Sequence, residues 1–376
     1  MVENSASGLS LFDLLARDWS LECDVIQTRF NFDDTGVVFR LRSGKLAMAS
    51  TRDTESPKIR TRMELDTGRT MIRPRENSVP PLTTPEIAVC SDLPIARFGA
   101  QGFATVDQDG TLQQVTVGGQ VVIRLKPETD AVTSLCSSVS GSILALARQD
   151  RIVIYSTEDM NTLAEIGLNH PVTCSAISPD ERTLAAWGDD TLSLVDIQNP
   201  SATPKIIRCA GDITEISWRK SGSHLSCASA DKSFYIVDCA AGTAQRVEDF
   251  PSPVRNTEFS ETGKALIASG AFRLVGWSAD DLPENDLPGT PLTIGKPGFV
   301  VINVIATHPA RDLVATGYAN GLVAIASIGS MQEMMLHQEK ATEATSLSWS
   351  KTGEHLAIGF ASGKAALVTF PEQMFK

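Results

Sequence analysis

The chain has 376 residues, 42% of them hydrophobic and 21% charged, a globular balance that leaves out a disordered polymer. Its net charge of −12 at pH 7 works against non-specific attachment to nucleic acid or to an anionic membrane. Seven cysteines, an odd number with no C-x-x-C pair, argue against a disulfide framework or a zinc site and for a reducing, cytoplasmic setting.

The opening MVENSASGLSLFDLLARDW has no basic stretch at its start, and its apolar run is broken at Asp13, so no secretory signal is predicted. No run approaches ~18 uninterrupted apolar residues, and no transmembrane helix is expected. The segment 9–16, LSLFDLLA, reads as a strand. Leu11, Leu14 and Leu15 also fit helical spacing, so a short helix competes with it.

From about residue 20 onward one pattern recurs. An apolar strand ends near an aromatic, a polar turn follows four residues later, and two further apolar strands come after it. The aromatic and turn fall at Phe32 and Gly36, Phe98 and Gly102, Trp218 and Gly222, Phe259 and Gly263, and Trp349 and Gly353. Weaker copies have their turns at Gly141, Glu181 and Ala310. Successive turns are 66, 39, 40, 41, 41, 47 and 43 residues apart. A period of about 41 residues made of short strands is the signature of a β-propeller with four antiparallel strands per blade. Two insertions account for the long spacings: the polar stretch 51–90 in the first blade and the acidic stretch 278–297. A second turn in each unit, such as Ser43-Gly44, Asp109-Gly110, Asp231-Lys232 and Asn320-Gly321, suits hairpins that need positive φ.

This pattern resembles the WD-repeat β-propeller family over roughly residues 20–370, with the Ser178-Pro179-Asp180 turn and the Val195-Asp196 and Val237-Asp238 strand ends. The resemblance implies an all-β fold, one propeller domain spanning 1–376, and a role in protein–protein interaction. The family's Gly-His pair survives as Asn169-His170, its Trp-Asp pair is nowhere intact, and His170 with Asp190 is the place where its hydrogen-bonded network could persist. Eight turn registers predict eight blades, with seven, the commoner family number, as the alternative. The last unit supplies three strands, so segment 9–16 is expected to close the ring as the fourth.

No catalytic constellation stands out. His170, His224, His308, His337 and His355 lack metal-ligand spacing, and no nucleophile elbow is present. GFASGK at 359–364 lacks the Ser or Thr that a phosphate loop needs after its Lys, so no cofactor is predicted. The inner strands offer mostly neutral polar residues, among them Thr28, Ser134, Ser175, Asn256 and Ser346, with Glu215 and Glu258 as acidic exceptions. Between residues 40 and 75 the sign of the charge inverts, with ten basic residues against four acids. KIRTRMELDTGRTMIRP reads as a hairpin about Asp66-Thr67-Gly68. It is either a solvated hairpin or a docking surface for an acidic protein, formed by Arg52, Lys58, Arg60, Arg62, Arg69, Arg73 and Arg75, with Trp19 nearby as a half-exposed aromatic. Self-association against the acidic loop residues Asp280, Asp281, Glu284 and Asp286 is a further possibility, and RNA fits less well because no Trp or Tyr interleaves the basic run. The expected function is a non-enzymatic scaffold for protein partners. The alternative is an enzyme or small-ligand propeller with its site in the central channel.

Overall fold

The computed structural model describes residues 9–63, 70–90 and 92–375. Eight antiparallel sheets follow one another along the chain and form the eight blades of a propeller. Their inner strands are Val25–Phe30, Ala96–Phe98, Ser134–Ser137, Cys174–Ile177, Ile213–Trp218, Thr257–Ser260, Ile302–Thr307 and Ala344–Trp349. Consecutive inner strands of blades three to six and of blades seven, eight and one pack side by side around a central axis. Blades two, three, four, five, seven and eight have four strands among the described residues. Blades one and six show three, with the fourth position marked by single bridges from Met48 to Thr83 and from Trp277 to Pro291. Both blades carry the insertions, and both insertions are rich in proline (Pro80, Pro81 and Pro85; Pro283, Pro288 and Pro291). Proline has no N–H to give a ladder, so an outer strand cannot propagate there.

The second turns take the expected left-handed geometry. Gly44 and Gly321 have φ of 83°, and the non-glycine Lys232 has 67°. At Gly321 a side chain is also sterically excluded, because a Cβ would lie 2.1 Å from the carbonyl of Glu339.

An N-terminal strand closes the ring, but it is not segment 9–16. Leu11–Leu15 forms a short helix, and the closing strand is Ala16–Ser20, antiparallel to Lys364–Thr369 with Ala16 opposite Val368 and Ser20 opposite Lys364. The physical reason is a reciprocal cap. The Ser10 hydroxyl accepts from the Asp13 N–H at 3.2 Å, and the Asp13 carboxylate accepts from the Ser10 N–H at 2.8 Å. The helix then buries Phe12 and Leu15 against blades seven and eight.

The apolar core lies between blades. Eight clusters of buried side chains occupy the eight interfaces, including Val25, Phe39 and Leu367 between blades one and eight and Phe103, Met48 and Val115 between one and two. Burying one such Leu, Val or Phe is worth roughly 1.5–3 kcal/mol, so each blade is held by its neighbours. Tryptophans at inner-strand ends bolt successive blades together. Trp218 Nε1 donates to the Ala176 carbonyl at 3.2 Å, and Trp349 Nε1 to the Ala306 carbonyl at 3.0 Å.

Candidate functional site

Two places concentrate charge: the inserted segment of blade one and the axis of the ring. The inserted segment folds as a one-turn helix, Pro57–Arg60, followed by a hairpin of Thr61–Met63 with Thr70–Ile72. Arg69 and the Asp66-Thr67-Gly68 turn lie outside the described residues. Arg60 is not a surface residue. It is 5% exposed, and its guanidinium donates to the carbonyls of Glu55, Leu14 and Arg73. The expectation that Arg60 presents charge outward is therefore corrected: a buried guanidinium needs acceptors, and the surrounding backbone supplies them. Arg75 pairs with Asp53 and Glu55, and Asp53 also faces buried Arg17 at 3.8 Å. Burial pushes the Asp53 carboxyl up, but the Arg75 hydrogen bond, the Glu55 N–H and Arg17 outweigh it and leave the group below its ordinary range. Lys58 reaches across to Glu354 of blade eight at 2.8 Å. Arg52, Arg62 and Arg73 are exposed, and beside them stand exposed Ile59, Met63 and Met71. Trp19 is half-buried, with its Nε1 donating to the Pro80 carbonyl at 2.8 Å and its ring tilted on Phe39, so it helps seat the insertion. In the acidic loop Asp280 faces Arg219 at 3.5 Å and Lys264 at 3.6 Å, and Asp281 accepts from the Thr290 hydroxyl at 2.6 Å.

On the axis, all eight inner strands line a cavity of about 880 Å³. Charged side chains line it, among them Arg29 of blade one, Arg97 of blade two, Glu215 of blade five and Glu258 of blade six, together with Arg40, Arg42 and the Arg255–Glu343 pair. Bulges in the inner strands help to aim them. The blade-five register slips between Ile213 and Glu215, and the blade-one register slips between Val25 and Gln27. Burial raises the Glu215 carboxyl to about 8, with the Glu258 charge adding to the rise and Arg29 opposing it. Burial also raises Glu258, to about 6, against the Thr307 N–H and hydroxyl, which donate to its Oε2 at 2.6 and 2.9 Å. Burial lowers Arg97 to about 10, and the neighbouring Arg29 lowers it further. Arg97 Nε and Nη1 donate to the carbonyls of Phe30 and Val139 at 3.0 and 2.9 Å. The thiols beside them are poor nucleophiles, because burial raises Cys136 to about 11 and Cys174 to about 12. Among the described residues no group of three or more His, Cys, Asp or Glu is placed to hold a metal ion.

Arg29 and Arg97 were absent from the sequence-based picture of the channel. Strand pairing puts Arg29 at the position of Ser217 in blade five and Glu215 at that of Gln27 in blade one, a register that counting from the turn glycines does not give.

Among solved structures, the β-propeller domain of Cps50 (Swd1) from Myceliophthora thermophila matches with a TM-score of 0.54 and 19% identity, covering 74% of this chain and 96% of that one. The likeness is one of fold: both are β-propellers. A stretch of 136 residues in the propeller is 29% identical to the target of rapamycin complex subunit wat1 of Schizosaccharomyces pombe. That stretch is 34% of this chain and 43% of the relative, so it spans less than half of the relative's length. No family model matches the chain. In blade four His170 and Asp190 take different partners. His170 Nε2 bonds the Ser193 hydroxyl at 2.7 Å, while the Asp190 carboxylate accepts from the Gly211 N–H at 3.0 Å. The His170 Nδ1 lies 2.8 Å from the Pro171 carbonyl and donates to it, since a carbonyl oxygen only accepts.

Proposed function

We propose that this propeller is a non-enzymatic, cytoplasmic scaffold whose basic hairpin in blade one docks an acidic protein partner. The observation that carries the reading is the amphipathic surface of that insertion. Exposed Arg52, Arg62 and Arg73 stand beside exposed Ile59, Met63 and Met71, on a base anchored by Arg60, Arg75 and Lys58. Apolar anchors ringed by arginines are the usual chemistry of an interaction hot spot. Anchoring the base reduces the ordering cost of association. All seven cysteines are free, which agrees with a reducing compartment. The S. pombe relative, by name a subunit of a complex, supports the same role.

The test is affinity purification of the full chain from its native cells, beside the Arg62→Glu/Arg73→Glu double variant. A stoichiometric partner that the parent retains at low salt and the variant loses is expected, with the parent's retention itself falling as salt rises. Recovery of the same partner by both proteins moves the docking surface elsewhere. Recovery of no partner by the parent removes the scaffold reading.

A further inference from the structure

An eight-membered ring places each blade opposite the blade four positions on. Blades one and two, which carry Arg29 and Arg97, therefore stand across the axis from blades five and six, which carry Glu215 and Glu258. Phe30 pairs with Val37 and Trp218 with Leu225, so Glu215 lies two residues further from its turn than Arg29 does. Arg29 and Glu215 sense each other electrostatically, yet no ion pair closes between them among the described residues. The Arg29 Nε is buried without a hydrogen-bond partner. The other charged lining residues have partners within the protein: Arg40 donates to the Leu93 carbonyl, Arg42 pairs with Asp24, and Arg255 pairs with Glu343. Arg29 and Arg97 on one side and Glu215 and Glu258 on the other border space unfilled by protein. A buried guanidinium N–H left unsatisfied is costly, and a group that completes its hydrogen bond gains what the unfilled channel forfeits.

We infer that the channel is a binding site for a small zwitterion, whose carboxylate or phosphate sits on Arg29 and Arg97 and whose ammonium sits on Glu215 and Glu258. The planar guanidinium suits either anionic head through paired N–H donors. An ammonium offers three donors to the two carboxyl groups. The cavity of about 880 Å³ falls within the range of ordinary small-molecule sites, so such a ligand fits with room for water. A simple anion satisfies one side and leaves the other unanswered; a simple cation does the reverse. The site stands apart from the blade-one hairpin, and its fate does not depend on the docking reading.

The experiment is isothermal titration calorimetry, with thermal unfolding alongside, on the full chain. The probes are the L-amino acids one at a time and phosphoethanolamine, with acetate, inorganic phosphate and ethylamine as single-charge controls. At least one zwitterion is expected to bind saturably and raise the unfolding midpoint, and the amino-acid and phosphoethanolamine arms tell the two anionic heads apart. Arg29→Gln and Glu258→Gln, checked for native circular dichroism, are each expected to weaken that binding at least about tenfold, the loss of one charge-assisted contact. Binding near pH 7 is also expected to release protons, seen as a heat that changes with buffer ionisation enthalpy, because the ammonium forces Glu215 to ionise. That release gives a readout that does not depend on either variant folding. A panel with no saturable binder overturns the proposal. So does a control that binds as tightly as the best zwitterion, or binding that survives both substitutions unchanged.

Discussion

A carboxyl group buried in a narrow channel beside a second carboxyl keeps its proton to higher pH than it would in water. Glu215, raised from 4.5 to about 8, is the clearest case here. Its folded-state value lies above its unfolded one, so folding takes up a proton in the interval between them. The stability this group contributes is full below the unfolded value and is lost as pH rises through about 8. Glu215→Gln removes the titration. Parent and variant are expected to match below about pH 4, and the variant to be more stable by on the order of 2 kcal/mol above pH 8, allowing for water in the channel. Urea unfolding across that range measures the difference, and parallel curves at every pH would show that Glu215 is ordinarily solvated. Arg60 presents the opposite situation, a buried charge each of whose three nitrogens donates a hydrogen bond. Arg60→Met removes donors from three backbone carbonyls, those of Glu55, Leu14 and Arg73. The expected loss is about 2–4 kcal/mol by denaturant unfolding, since hydrogen bonds from charged groups exceed neutral ones and their acceptors are left behind in the interior. A loss below about 0.5 kcal/mol, the range of ordinary surface substitutions, would return Arg60 to the surface.

At the scale of the element, the closing strand carries the largest consequence. Ala16–Ser20 covers the free edge of Lys364–Thr369, and the helix before it buries Phe12 and Leu15. Deleting residues 1–20 exposes that edge and opens the interface of blades seven and eight. The truncated chain is expected to unfold at a lower temperature and to associate through the bared strand, seen as species heavier than a monomer in sedimentation. Equal thermal midpoints for the two chains would mean that blades one and eight hold the ring shut without it. The element scale also marks where sequence patterns stopped being informative. Turn glycines and strand-end tryptophans repeat with the blade, so the blades could be counted from residues such as Gly222, Gly353, Trp218 and Trp349. The run LSLFDLLA could not be assigned by periodicity, because five residues fit either pattern. The Ser10 and Asp13 cap was the local signal, and it pointed to the helix. The missing outer strands of blades one and six were written in prolines, which a count of turns does not weigh. Arg29 was hidden for a related reason. A bulge after Val25 shifts the alternation, so Thr28 is buried against Ser346 while Arg29 takes the channel.

For the whole molecule, the question is what the basic hairpin meets. The acidic loop of a second copy is one complement, but the loop is partly satisfied within its own chain. Asp280 lies between Arg219 and Lys264, and Asp281 accepts from Thr290, which leaves Glu284 and Asp286 as the loop acids whose carboxylates have neither an ion pair nor a hydrogen bond among the described residues. Two such acids on an exposed loop contribute little, roughly 0–1 kcal/mol per pair, and salt screens even that. Two copies also bring together chains of net charge −12, whose mutual repulsion opposes association. The expected mass in sedimentation is therefore that of a monomer at both low and high salt, with the hairpin left free for a different, acidic protein. The Arg62→Glu/Arg73→Glu variant should keep the thermal midpoint of the parent, because both side chains are exposed and neither supports the blade. A dimer that forms at low salt, dissolves at high salt and is abolished by Glu284→Lys with Asp286→Lys would instead make a second copy of this chain the target of the hairpin.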